Sequence, residues 1–183
     1  MKRRSFLKNS TLSTTGLIVT KNLFKMGKET VYGHNEMTYT MNKEWGALNP
    51  EITPVNDCHE MVQDAKGRIL LLTNETKNNV IIYNKSGKLI ETWGTEFPGA
   101  HGLTIQNTGK EDLLFITDTA KHQVYKTTID GKILFTIDAP DDIPAYEKKE
   151  AFVPTETAVL ENGEFYIADG YGAQYILHYD EKG

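Results

Sequence analysis

The sequence predicts an all-β protein made of four-stranded antiparallel units, the blades of a β-propeller, with about three blades in this chain. Two observations carry this. Short apolar runs of four to six residues, rich in Ile, Val, Phe and Tyr, alternate with Gly, Asn and Asp turns, and no helical period intervenes. Their anchors also recur at a fixed distance: His59 to His101 is 42 residues, and both Asn74 to Asp118 and Gly87 to Gly131 are 44.

The first blade, residues 51–97, has runs at Cys58–Gln63, Arg68–Asn74 and Val80–Tyr83, and a fourth at Lys88–Trp93. The second, 98–150, repeats them at Ala100–Ile105, Leu113–Asp118, Gln123–Ile129 and Lys132–Ile137. Lys-Ser-Gly-Lys and Ile-Asp-Gly-Lys read as hairpin turns, whose glycine supplies the positive φ. The third, 151–183, has Pro154–Val159, Glu164–Asp169 and Gln174–Tyr179. Its displacement, 51 residues from Asp118 to Asp169, marks an insertion around Asp138–Glu150 that reads as a solvated loop. Three incomplete blades cannot close a ring, so the expectation is the front part of a longer propeller. Trp45 and Trp93 are expected to pack between blades.

Composition excludes other classes. Of 183 residues, 39% are hydrophobic and 25% charged, as in an ordinary globular chain. No run of 18 apolar residues exists, which argues against a stable membrane anchor. Residues 1–26 hold six Lys/Arg and no Asp or Glu, so the remainder carries 14 basic against 25 acidic residues, a net of −11. A body that acidic, with Arg68 as its one arginine, is a poor partner for nucleic acid. The single Cys58 forms no intrachain disulfide and is expected to be a buried, inert thiol.

The leader, 1–26, opens Lys2-Arg3-Arg4-Ser5-Phe6-Leu7-Lys8 ahead of a short, mildly apolar stretch, Ser10–Thr20. It resembles a twin-arginine export signal, with Lys2 where Ser or Thr is usual. The resemblance implies handling by the twin-arginine machinery and an exported, periplasmic or extracellular location. Residues 27–50 read as a linker.

Within the blades, four strings stand out: Pro98-Gly99-Ala100-His101-Gly102-Leu103, Asp118–Lys126, Phe152–Val159 and Ile167-Ala168-Asp169-Gly170-Tyr171. Together they resemble the NHL-repeat class of six-bladed propellers, and within it the peptidyl-α-hydroxyglycine α-amidating lyases. The resemblance implies that His101 is a zinc ligand, that the Leu103 carbonyl is a calcium ligand, and that Tyr171 is a catalytic phenol. It implies a small-molecule or peptide substrate at the propeller mouth. His59, one blade before His101, is a candidate metal ligand or substrate-binding group. Three features depart from the family. No arginine lies in Val55–His59, where the lyases have a catalytic one. Val153 and Gly172 stand where the lyases pair two cysteines. One histidine does not hold a catalytic zinc, which takes three protein ligands plus water.

Two functions follow: an exported, metal-binding propeller related to the amidating lyases, or a non-catalytic NHL-type binding module. A sugar-lactone hydrolase ranks third, because its acidic ligand pattern is not visible. Glu60 and Glu156, just after the repeat anchors, read as solvated faces. Asn74, Asp118 and Asp169 recur at one blade position and read as turn caps. His122 and His178 read as structural.

Overall fold

The structure is a computed structural model that describes residues 30–183. The leader and the start of the expected linker lie outside the described residues. The chain divides into two compact units with a boundary at Lys43–Glu44. The described part of the first is a hairpin, β1 (Val31–His34) and β2 (Met37–Thr40), so the segment read as a linker contains strands. Asn35 turns it at φ 53°, a left-handed conformation that asparagine tolerates well.

The second unit carries three antiparallel sheets. Blade one is β3 (Cys58–Gln63), β4 (Ile69–Thr73), β5 (Val80–Tyr83) and β6 (Leu89–Trp93), paired in that order. Blade two is β7 (Ala100–Asn107), β8 (Asp112–Asp118), β9 (Gln123–Thr128) and β10 (Ile133–Ile137), again consecutive. Blade three is β11 (Glu156–Val159), β12 (Phe165–Ala168) and β13 (Ile176–Tyr179). The expected meander and its repeat are therefore present.

Strand period explains the core. Successive side chains point to opposite faces, so a strand sandwiched between two blades is apolar throughout. In β8, Leu114 and Ile116 join Leu70, Leu72, Val80, Ile82 and Leu103 between blades one and two. The intervening Phe115 joins Val124, Phe165, Ile167 and Leu177 between blades two and three. Truncating such a phenylalanine to alanine costs about 3–5 kcal/mol. Gly131 has φ +91°, and a Cβ there would lie 2.6 Å from the Trp93 ring, so Trp93 does pack between blades one and two. Trp45 instead rests on Tyr83 of blade one, with ring centroids 5.3 Å apart, and its indole N–H donates to the Lys85 carbonyl at 3.1 Å.

Two sequence expectations need correction. Cys58 is exposed, because it opens β3 at the rim of the sheet. The insertion is a solvated loop only on its outer side. It folds into two 3-10 turns, Pro144–Tyr146 and Lys149–Ala151. Tyr146 is 1% exposed and Phe152 fully buried, both in the core of blade three. The charged residues that suggested solvation, such as Asp141 and Glu150, occupy only the outer side of the segment.

The outer face of blade three exposes Ala158, Tyr175 and Ile176. An almost wholly apolar hollow of about 310 Å³ lies there, lined by Ala158, Tyr166, Ala168 and Ile176 among others.

Tyr146 donates to the buried Asp169 carboxylate at 2.8 Å. Tyr146→Phe is expected to lower stability by about 1.5–3 kcal/mol, the usual worth of a bond to a charged group. Asp141→Ala, on the exposed side of the same segment, is expected to stay within about 0.5 kcal/mol. Urea unfolding of the two variants checks both, and equal effects would contradict the packed role of the insertion.

Candidate functional site

The inner strands β3, β7 and β11 begin side by side at one end of the blades, and three rings meet there. His101 sits where the β7–β8 register shifts, between Ala100 and Leu103. His59 sits in a matching irregularity of β3, between Cys58 and Glu60. Such bulges re-aim a side chain out of the regular alternation. The imidazoles stack, with centroids 4.2 Å apart and planes inclined at 25°. Tyr171, 68% exposed, meets His101 edge-on at 5.1 Å and 88°.

Hydrogen bonds fix the His101 tautomer. Nδ1 lies 3.0 Å from the Thr155 carbonyl, which only accepts, so Nδ1 carries the proton. Nε2 therefore keeps its lone pair and accepts from the Tyr171 hydroxyl at 3.2 Å. A backbone carbonyl accepting from one imidazole nitrogen, with the other left unprotonated, is the arrangement found behind metal-ligating histidines.

The loop that carries Tyr171 is capped by Asp169, which is fully buried. Its carboxylate accepts from the backbone N–H groups of Val153 at 2.7 Å and Ala173 at 2.6 Å, besides the Tyr146 hydroxyl. Asp118 does the same in blade two, accepting from Gly99 at 3.2 Å, Ala120 at 2.9 Å and Lys121 at 2.7 Å. The two aspartates are the turn caps expected from the repeat. In blade one the task moves one residue back: the Thr73 hydroxyl accepts the Asn56 N–H at 3.0 Å, and Asn74 bonds the Asn56 side chain. Val153 and Tyr171 are joined by a backbone bond of 3.4 Å, so the two segments the resemblance would cross-link are tied here by hydrogen bonds.

Beside the rings, Glu60 and Glu156 are half-buried and not on the solvated faces expected of them, because neighbouring inner strands cover them. The Glu60 and Glu156 carboxyls lie close enough that Glu60 disfavours the charged form of Glu156. Glu60 also accepts the Leu103 N–H at 2.9 Å. Glu156 accepts from the Thr104 hydroxyl at 2.9 Å and the Thr157 N–H at 2.8 Å. Burial first, and then Glu60, push the Glu156 carboxyl up from near 4.5 to about 7. Gly102 makes the meeting possible: a Cβ there would lie 2.5 Å from the Thr155 carbonyl oxygen and 3.0 Å from Glu156 Oε1. The signal was in the repeat, since Glu60, Gly102 and Glu156 take matching places at the start of the three inner strands.

The remaining histidines stand apart from this cluster. The His122 ring bonds the Phe152 carbonyl at 2.8 Å, and His178 bonds Glu164 at 3.0 Å and stacks on Tyr166, consistent with structural roles. His34 belongs to the hairpin unit. Leu103 is 1% exposed, in the core between blades one and two. Among the described residues, no group of three or more His, Cys, Asp or Glu is placed to hold a metal ion. No helix among them is long and apolar enough to cross a membrane.

Comparison with known proteins agrees with this picture. No protein-family model matches the chain. Over 102 residues, 54% of this chain, it is 39% identical to peptidyl-α-hydroxyglycine α-amidating lyase 1 of Drosophila melanogaster, covering 18% of that protein. Over 116 residues, 62% of this chain, it is 34% identical to a Caenorhabditis elegans protein of the same lyase name, covering 31% of it. The matched stretch thus spans less than a third of either relative. Among solved structures, a protein of unknown function from Bacteroides caccae superimposes with a TM-score of 0.52 at 16% identity, over 69% of this chain and 47% of that one. These likenesses support an all-β, propeller-like fold and a relationship to the amidating lyases.

The carboxyl pair has a pH signature. Between about 4.5 and 7 the unfolded chain has released the Glu156 proton while the folded chain keeps it. Stability therefore falls as pH rises through that window and levels off above it. Glu156→Gln mimics the protonated group and does not ionise. It is expected to match the parent at pH 4 and to exceed it in stability at pH 8. Parallel denaturation curves at the two pH values check this, and a variant less stable at pH 8 would contradict it.

Proposed function

We propose that the chain forms part of a propeller lyase related to the amidating lyases, with its chemistry at the mouth where His101 meets Tyr171. The observation that carries this is the 3.2 Å contact between His101 Nε2 and the Tyr171 hydroxyl. The two residues are 70 positions apart, and they are the same two that the family resemblance picks out as metal ligand and phenol. The names of the relatives supply the reaction class: cleavage of an N-acylated α-hydroxyglycine. In balance, the carbon-bound hydroxyl gives up its proton, its oxygen closes to a carbonyl, and the C–N bond breaks. The amide nitrogen takes a proton, leaving a primary amide and glyoxylate.

His101 fits zinc, because Nδ1–H is held by the Thr155 carbonyl and Nε2 keeps an unprotonated lone pair, met only by the exposed Tyr171 hydroxyl. It would be one of the three protein ligands such an ion needs. Bound zinc supplies Lewis acidity toward the substrate hydroxyl. Nε2 has one lone pair, so it does not serve an ion and the phenol together. With Nε2 engaged elsewhere, the Tyr171 hydroxyl would be free to turn to the substrate and move its proton. The resemblance would put calcium at the Leu103 carbonyl, where Glu60, which accepts the Leu103 N–H, would offer a hard oxygen ligand. The basic leader supports export through the twin-arginine route, and this too is our proposal.

Two substitutions test the reading. In the purified protein, Tyr171→Phe is expected to lower kcat for glyoxylate release from an N-acyl-α-hydroxyglycine by about 10²–10⁴, with zinc content unchanged. His101→Ala is expected to remove zinc as well as activity. Zinc-free parent protein with no lyase activity would favour the alternative, a non-catalytic binding propeller.

A further inference from the structure

We infer that His59 is a positioning residue that holds the His101 imidazole by stacking on it, and is not a second ligand to the same ion. The inference rests on the reading of His101 as a metal ligand. A metal ion lies in the plane of an imidazole that binds it, about 2 Å from the nitrogen. Two planes inclined at 25°, with centroids 4.2 Å apart, intersect only roughly 8–10 Å from the rings. No single ion reaches both nitrogens from within both planes.

The stack has a different use. His101 is held at Nδ1 by the Thr155 carbonyl and met edge-on by Tyr171. Its remaining freedom is rotation of the ring about its bond to the chain. His59 covers one face of the ring and blocks that rotation. Both histidines sit in strand irregularities at matching places, so each backbone is bent to bring its ring to the other. His59 is exposed, so replacing it tests the stack without disturbing the core.

The test compares His59→Phe, which keeps a stacking ring and removes the nitrogens, with His59→Ala, which removes both. Two readouts are needed: zinc affinity of the purified protein by chelator competition, and nitrogen-15 NMR of the His101 ring in metal-free protein. His59→Ala is expected to weaken zinc binding about tenfold, the usual cost of losing a residue that orients a ligand, and to mix the two His101 tautomers. His59→Phe is expected to stay within about twofold of the parent and to keep the Nδ1–H tautomer. Equal losses in both variants would make His59 a ligand and overturn the inference. So would a His59→Ala variant that changes neither readout. If the parent binds no zinc, the metal reading of His101 fails, and the tautomer measurement still decides whether His59 positions the ring.

Discussion

Everything at the mouth depends on how closely the three inner strands approach one another, and Gly102 sets that approach. With no side chain at this position, the Thr155 carbonyl comes within hydrogen-bonding distance of His101 and fixes its tautomer. The same gap accommodates the Glu156 carboxyl, which reaches Glu60. Glu60 in turn holds the Leu103 N–H of the middle strand. One chain of contacts thus runs from blade one through blade two to blade three. Its geometry presents His101 Nε2 to Tyr171 and to the open end of the blades.

The arrangement has an electrostatic cost. Two carboxyls share a partly buried place, and burial together with Glu60 disfavours the charged form of Glu156 there. Nearby donors, the Thr104 hydroxyl and the Thr157 and Leu103 N–H groups, satisfy the other lone pairs. Such a network specifies a geometry more than it adds stability, because desolvation offsets much of the attraction. It is suited to a site, where the placement of rings matters more than the energy of any one bond.

Much of the fold was legible in the sequence because blades are local. Runs such as Val80–Tyr83 and turns such as Lys85-Ser86-Gly87-Lys88 carry their own strand and hairpin signals. Asp118 and Asp169 were recognisable as caps by recurrence alone. The insertion was misread because its charges are on the surface, while what packs it, Tyr146 against Asp169, joins residues 23 apart. Cys58 was misread because a strand's first residue lies at the rim, outside the core that its apolar character suggested. At the site, His101 and Tyr171 were found by resemblance. Neither the stacking of His59 nor the pairing of Glu60 with Glu156 was found, since both depend on how neighbouring blades abut. A glutamate on a strand reads as solvent-facing until another blade covers it.

The most direct test of the inter-blade contact is a double-mutant cycle at pH 8 on Glu60→Gln and Glu156→Gln, read by urea unfolding. Each substitution removes the same like-charge contact, so the pair should be strongly non-additive. We expect each single variant to be more stable than the parent, and the double variant to gain little beyond the better single one, for a coupling of about 1 kcal/mol. Additive effects would show that the two carboxyls do not meet, and would contradict the account of how the three blades assemble the mouth.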